Sequence, residues 1–118
     1  MLVALALLAA APSPADPDLR CVAAISAVLG AVGDKHEADA DPEIFASLTG
    51  VFMYFLGKVD ARHPGFDYAR ALGSVVNEPG YDKALAQDLK RCGAEAEERG
   101  AMLKRLDEQM KALPPQAG

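Results

Sequence analysis

Apolar residues recur along this chain at steps of three and four, and this spacing constrains the fold more than any other feature. Such steps place side chains on one face of an α-helix, whereas a half-buried strand needs alternation with a period of two. No sustained alternation of β-branched residues competes with the helical pattern. The sequence therefore predicts an all-α fold, a compact four-helix bundle.

Caps and turn residues divide the pattern into four predicted helices. The first, third and last span about 18–33, 68–77 and 82–113. The second begins at Asp41-Pro42, and its apolar stripe runs to Val59, before a break at His63. Asp18, Asp41 and Asp67 are the expected N-caps, because a short carboxylate side chain can accept a hydrogen bond from the first free backbone N–H groups. The last helix is expected either as one element or as two, broken near Gly93 or Gly100.

The second predicted helix is the most apolar and is expected at the centre of the core. Its inward residues are Ile44, Phe45, Leu48, Val51, Phe52, Phe55, Leu56 and Val59. Gly50 and Gly57 lie seven residues apart in it. Because glycine in a helix costs about 1 kcal/mol relative to alanine, a close crossing by a neighbouring helix is the expected reason for both.

The last predicted helix carries a long apolar stripe and a charged face. The stripe consists of Leu85, Leu89, Cys92, Ala96, Gly100, Leu103, Leu106, Met110 and Leu113. The charged face is expected in solvent, with i,i+4 ion pairs such as Glu95–Arg99.

Leu2–Ala11 is an uncharged run of ten apolar residues. It is shorter than the roughly 20 residues that span a bilayer, and it is typical of the apolar core of a secretory signal. Small residues at Ser13 and Ala15 predict cleavage after Ala15, with a cut after Ala11 as the alternative. The predicted organisation is a signal peptide over 1–15, one helical domain over 16–113 and a disordered tail over 114–118.

Cys21 and Cys92 are the only cysteines, and each lies on the apolar stripe of its predicted helix. Cysteines of an exported domain are usually paired. The sequence therefore predicts one disulfide between the first and last helices and a periplasmic or secreted location.

Charge and motifs exclude several function classes. A net charge of −5 argues against a nucleic-acid partner, because phosphate binding needs a positive surface. The mature chain lacks a second long apolar run, so no membrane association is expected after signal cleavage.

No nucleophile, phosphate-loop or metal motif is present, and the sequence predicts no catalytic residue, no metal, no cofactor and no enzymatic activity. His36 and His63 lie in predicted loops, and residues 33–41 are expected to form a solvated acidic loop.

Tyr54 lies off the main stripe of the second helix, on a face with Lys58 and Arg62. An aromatic ring beside cations is typical of an exposed contact surface. These three residues form the predicted partner surface, for another protein or for a second copy.

Two segments carry a resemblance to known proteins. At 54–60, YFLGKVD, and 88–93, DLKRCG, together with Arg20-Cys21, the chain resembles a group of small exported proteins of Gram-negative bacteria without an assigned function. Its plan also resembles HdeA-type periplasmic acid-stress chaperones, with Cys21, Cys92 and the 104–111 segment in corresponding places. That resemblance implies a helical protein that exposes apolar surface to clients at low pH while a disulfide limits unfolding.

A helix leading into His63-Pro64, followed by an alanine-rich helix, is similar to small periplasmic immunity proteins that block cell-wall hydrolases. The expected function is therefore that of a non-enzymatic periplasmic or secreted protein with a chaperone-like or stress-related binding role. The alternative is an immunity or inhibitor protein that binds one specific protein.

Overall fold

The computed structural model describes residues 11–33 and 41–115 and contains four α-helices there. They are α1, Pro17–Gly33; α2, Pro42–Arg62; α3, Tyr68–Val76; and α4, Tyr81–Lys111. No strand occurs in this part of the chain, which confirms the all-α class and the four helices. Because α4 is continuous over 31 residues, Gly93 and Gly100 do not break it.

Aspartate side chains cap the first three helices. Asp41 accepts a hydrogen bond from the N–H of Glu43, and Asp67 from that of Arg70, as expected. For α1 the expected cap was wrong: Asp16, rather than Asp18, accepts from the backbone N–H groups two and three residues later. Asp16 precedes Pro17 as Asp41 precedes Pro42, so the same pattern begins both helices.

Both short connections contain a glycine with positive φ. Gly65, in the turn between α2 and α3, has φ +69°, and Gly80, before α4, has φ +82°. Side chains disfavour this left-handed conformation, so glycine is the residue that permits these turns.

The core surrounds the first half of α1, which contacts each of the other three helices. Its fully buried members include Leu19, Val22, Phe55, Val59 and Val75. Phe66 and Ala71 close its α3 side, and half-buried residues such as Phe52 and Leu56 border it.

The predicted disulfide is confirmed. Cys21 and Cys92 are bonded, with Cα atoms 5.6 Å apart, and both side chains are fully buried. The bridge joins α1 to α4 across 71 residues of chain. On the chain-entropy model, a loop of this size corresponds to about 4 kcal/mol of stabilisation.

Two parts of the predicted core lie outside it. Ile44 and Phe45 on α2 are 53% and 47% exposed, and the α4 stripe is exposed from Leu103 to Leu113. The expectation was wrong there because helical spacing identifies the face of a helix and does not show how far along it a partner extends.

The close crossing expected at Gly50 and Gly57 does not occur within residues 11–33 and 41–115. A Cβ atom built at either residue would have no heavy atom of these residues within 4 Å beyond the helix itself and the chain neighbours. Packing in this part of the chain therefore does not explain the two glycines.

The segment before α1 packs on the domain. Pro12 is buried, Ser13 accepts hydrogen bonds from Ala15 and Asp16, and the Pro14 carbonyl accepts one from Arg20. Part of the predicted signal therefore lies against the helices in this chain, while the cleavage point itself stays a prediction. Of the predicted tail, Pro114 and Pro115 are exposed, and 116–118 lie outside the described residues.

Candidate functional site

A cluster of charged side chains joins α1, α2 and α4 beside the disulfide; we call it the Lys58 cluster. The Lys58 ammonium lies 2.9 Å from a carboxylate oxygen of Asp18 on α1 and 2.9 Å from one of Glu95 on α4. The Tyr54 hydroxyl donates to the same Glu95 oxygen, at 2.9 Å, and accepts from Arg99. Lys58 therefore connects α2 to both α1 and α4.

Arg62, one turn after Lys58, extends the Lys58 cluster to the start of α1. Its guanidinium lies 3.0 Å from Asp16 and 2.9 Å from Asp18. These two carboxylates are held where α1 begins, and negative charge is favourable at a helix N-terminus. The end of α2 is thereby fixed against the start of α1.

The contacts in the Lys58 cluster shift the ionisation of its members. Burial disfavours the charged Asp16 carboxylate, yet hydrogen bonds from Arg62 and from two backbone N–H groups hold its pKa below the ordinary value. The hydrogen bond with Lys58, assisted by Tyr54, lowers the pKa of Glu95 against the effect of burial. Burial opposes the Lys58 charge, but Glu95 and Asp18 raise its pKa. Asp16, Glu95 and Lys58 are therefore ionised at neutral pH.

A second cluster lies on the other side of α1. Arg20 Nε lies 3.1 Å from Asp88, and its Nη1 lies 2.9 Å from Glu78. Arg91 approaches Asp88 at 3.6 Å and donates to the carbonyl of Pro17. The Asp88 hydrogen bond is the largest factor raising the pKa of Arg20, so this cation is tightly held at the junction of α1 and α4.

The three residues of the predicted partner surface share one face of α2. Tyr54, Lys58 and Arg62 lie together, but their polar ends bind Asp16, Asp18 and Glu95 of this same chain. The expected Glu95–Arg99 pair was wrong, because the Glu95 carboxylate reaches across to α2. The contact of Glu95 with Tyr54 and Lys58 could not be predicted from the sequence, because it depends on how α2 and α4 are placed relative to each other.

The first half of α2 presents an apolar surface that we call the α2 ledge, formed by Ile44, Phe45 and Leu48. These residues continue the face that holds the buried Phe55 and Val59, at the spacing of a helix. Leu48 is half-buried, and the other two are about half exposed. The core-facing stripe of α2 thus extends beyond the residues that cover it.

Among the described helices, only α2 is long and apolar enough to cross a membrane, judged by length and composition alone. Only 11% of the most apolar 18-residue window is buried. Its last turns are held to α1 through Lys58 and Arg62.

Two concave regions accompany these surfaces. A hollow of about 250 Å³ lies between the second half of α1 and the start of α4, and its lining is Ala27, Val28, Ala31, Val32, Leu85 and Leu89. A larger cleft of about 580 Å³ is formed where the N-terminal segment meets the turn before α3. Pro12, Pro64 and Phe66 line it together with the charged Asp67 and Arg70.

The end of α4, residues 97–111, is also exposed, and we call it the α4 arm. Every residue from 97 to 115 is exposed, although the helix continues to Lys111. Its large apolar residues are Met102, Leu103, Leu106 and Met110, and Leu113 follows the helix end. They lie between 40% and 65% exposed.

Two buried polar atoms lie outside both charged clusters. His63 Nδ1 and the Tyr81 hydroxyl are buried without a hydrogen-bond partner there, and burial raises the pKa of Tyr81. Residues 11–33 and 41–115 contain no group of three metal-ligating side chains. His36 and most of the acidic loop, 34–40, lie outside the described residues.

Comparisons with protein-family models, curated proteins and solved structures found no match to this chain. The proposal for its function therefore rests on the surfaces of the chain itself.

Proposed function

We propose that this chain is an exported, non-enzymatic binding protein with a chaperone-like role, which holds apolar segments of unfolded proteins on the α2 ledge. The observation that carries this proposal is the continuation of the core-facing stripe of α2 through Leu48, Phe45 and Ile44, without a covering element among the described residues. Exposed apolar patches of this kind are typical of interaction sites.

The proposed compartment is the periplasm or the extracellular space. The disulfide is consistent with an oxidising compartment, because such bonds are rare in the cytosol. The apolar run over 2–11 supports export as well.

Low pH would increase client binding in this proposal. Protonation of the carboxylates would remove the anions that hold Lys58 and Arg62, while the Cys21–Cys92 bond would keep α1 attached to α4. With 12 Lys and Arg and 2 His charged, the chain would reach a net charge of about +14 and repel itself. The loosened protein would then expose the covered part of the α2 stripe.

The test is suppression of aggregation of thermally unfolded citrate synthase by the oxidised protein, followed by light scattering at pH 7. The Ile44→Gln/Phe45→Gln variant changes the ledge. Met53→Gln is the matched control, since Met53 is 57% exposed but lies on the opposite side of α2. The proposal expects suppression by the parent and by the control, and its loss in the ledge variant.

A parallel series at pH 3, with an acid-aggregating client, tests the acid-enhanced form. A protein that keeps its near-UV circular dichroism at pH 3 and protects no client at either pH would contradict the chaperone-like role. Tight, saturable capture of one defined protein would then favour the immunity or inhibitor alternative. Co-sedimentation with phospholipid vesicles that depends on Ile44 and Phe45, without client protection, would instead identify the ledge as a lipid-binding surface.

A further inference from the structure

The α4 arm carries an apolar stripe on an otherwise charged helix. The stripe consists of Leu103, Leu106, Met110 and Leu113. They are spaced three, four and three residues apart, as in helices that pack in coiled coils. They are between 46% and 65% exposed. The described part of the domain does not cover this stripe.

The arm continues a helix that begins in the domain, and it gains stability if its apolar face packs against a partner. It extends for 15 residues beyond the last half-buried residue, Ala96, as far as Lys111. Isolated helices shorter than about 12–15 residues are marginal in water, and most helical stability in proteins comes from packing an apolar face.

We propose that the α4 arm pairs antiparallel with the α4 arm of a second copy of this chain. The arm contains four acidic and four basic residues, so it is neutral, whereas the whole chain carries a net charge of −5. Pairing through the arm therefore avoids the excess negative charge, which resides in the rest of the domain. This inference is independent of the proposed function, which concerns α2.

The distribution of charge also favours antiparallel over parallel pairing of the two arms. Parallel pairing would bring the two negatively charged domains together at one end. Antiparallel pairing separates them by the length of the arm, about 22 Å for 15 residues. That distance exceeds two Debye lengths of about 8 Å each at physiological salt, so their repulsion is screened.

An antiparallel register centred between Leu103 and Leu106 aligns the apolar stripes of the two arms. Leu103 then faces Leu106 of the second copy, and Leu113, just past the helix end, comes level with Ala96. The same register brings Lys111 level with Glu98 of the second copy at both ends. Near the centre it brings Lys104 level with Arg105.

The apolar area of the two arms lies near the threshold for such a pair. The exposed portions of the five large apolar side chains of the stripe and its edge amount to at most about 500 Å² per arm, within the range of about 300–600 Å² for the largest apolar patch of a typical monomer. Two arms would bury at most about 1,000 Å², which is the threshold for a specific interface.

Sedimentation velocity over 1–200 µM, at pH 7 and physiological salt, measures the association. We expect the parent chain to form dimers in the upper part of this range. Leu106→Glu should be monomeric throughout, because it places a charge in the paired stripe. Ala101→Glu adds the same charge on the outer face of the arm and should dimerise like the parent. Both residues are exposed, so near-UV circular dichroism should show an unchanged domain in each variant.

Zero-length carbodiimide crosslinking of a mixture of ¹⁴N and ¹⁵N chains tests the direction. Antiparallel pairing predicts mixed-isotope links from Lys111 to Glu97 or Glu98. A parent chain that is monomeric at 200 µM, or equal dimerisation of the Leu106→Glu variant, would overturn the proposal. Links from Lys111 to Asp107 or Glu108 between isotopes, without links to Glu97 or Glu98, would overturn the antiparallel direction.

Discussion

The ammonium group of Lys58 lies 2.9 Å from the carboxylate of Glu95, and this contact joins α2 to α4. The same ammonium binds Asp18 of α1, so one side chain connects three helices. The contact lies at the border of the core, between the buried disulfide and the exposed α4 arm. Substitutions at this contact therefore test how the three helices are held together.

Glu95→Gln should lower the free energy of unfolding at pH 7 by about 0.5–1 kcal/mol, the value of a partly exposed ion pair. The Gln amide keeps the shape of the side chain but loses the charge that attracts Lys58. Glu98→Gln, one turn along on the exposed part of the same helix, is the control and should change stability little. Urea unfolding followed by circular dichroism measures both, and equal losses would contradict the assigned role of Glu95.

Stability should fall as the medium becomes acidic. The pKa values of Asp16 and Glu95 are lowered in the folded chain from ordinary values of 3.8 and 4.5. A lowered carboxyl pKa contributes stability above the ordinary value, which is lost as pH falls through the folded value. The unfolding free energy should therefore be level from about pH 6 to 9 and decline below about pH 4.5.

The acid decline can be traced to individual groups. In Glu95→Gln the loss below pH 4.5 should be smaller, and parent and variant should converge near pH 2. The Lys58 pKa is raised, so its contribution is present below its ordinary value of 10.5 and disappears only at more alkaline pH. A parent chain whose stability increases from pH 6 to pH 3 would refute this account.

Arg20→Leu should destabilise the domain by about 2–3 kcal/mol, because Asp88 would lose its closest cation while only 12% of its side chain is exposed. The Leu side chain replaces most of the apolar stem of Arg20. The matched control is Arg70→Leu, since Arg70 is 89% exposed and reaches Asp67 only at 4.0 Å. Thermal unfolding of the two variants should separate them clearly, and a control as damaging as Arg20→Leu would argue against the Asp88 contact.

Gly57→Ala and Gly65→Ala should change stability in opposite directions. Gly57 lies inside α2 with open space around its Cα, so alanine there should stabilise the helix by about 1 kcal/mol. Gly65 has φ +69°, where a side chain is strained, so the same substitution should destabilise by about 1 kcal/mol. Melting temperatures of the pair against the parent decide the matter, and a loss at Gly57 would indicate a contact that the described residues do not show.

Much of the local structure could be predicted from the sequence. The Asp41-Pro42 and Asp67 caps place the starts of α2 and α3, and the glycines at 65 and 80 mark the turns. Caps and turns depend on residues close by in the chain, so the local sequence is enough to predict them. The wrong cap at Asp18 is of the same kind, since the Asp16-Pro17 pair at the start of the predicted domain repeats the Asp-Pro pattern of Asp41-Pro42.

The candidate surfaces could be predicted only in part. The face of α2 that bears Tyr54, Lys58 and Arg62 was found from spacing, but its ion pairs with Asp18 and Glu95 were not. Those contacts depend on the crossing of three helices, which no local pattern records. The α2 ledge was predicted as core for the same reason.

The sequence by itself determined four helices, their apolar faces and the pairing of Cys21 with Cys92, because helical periodicity is local and two cysteines allow one intramolecular bond. Only the tertiary structure decided how much of each face is covered. Phe55 and Phe45 belong to the same stripe of α2, yet one is fully buried and the other is about half exposed. The physical reason is that burial requires a second element at the same height along the helix. The packing of α1 provides that element at Phe55, and nothing in the described chain covers Phe45 as fully.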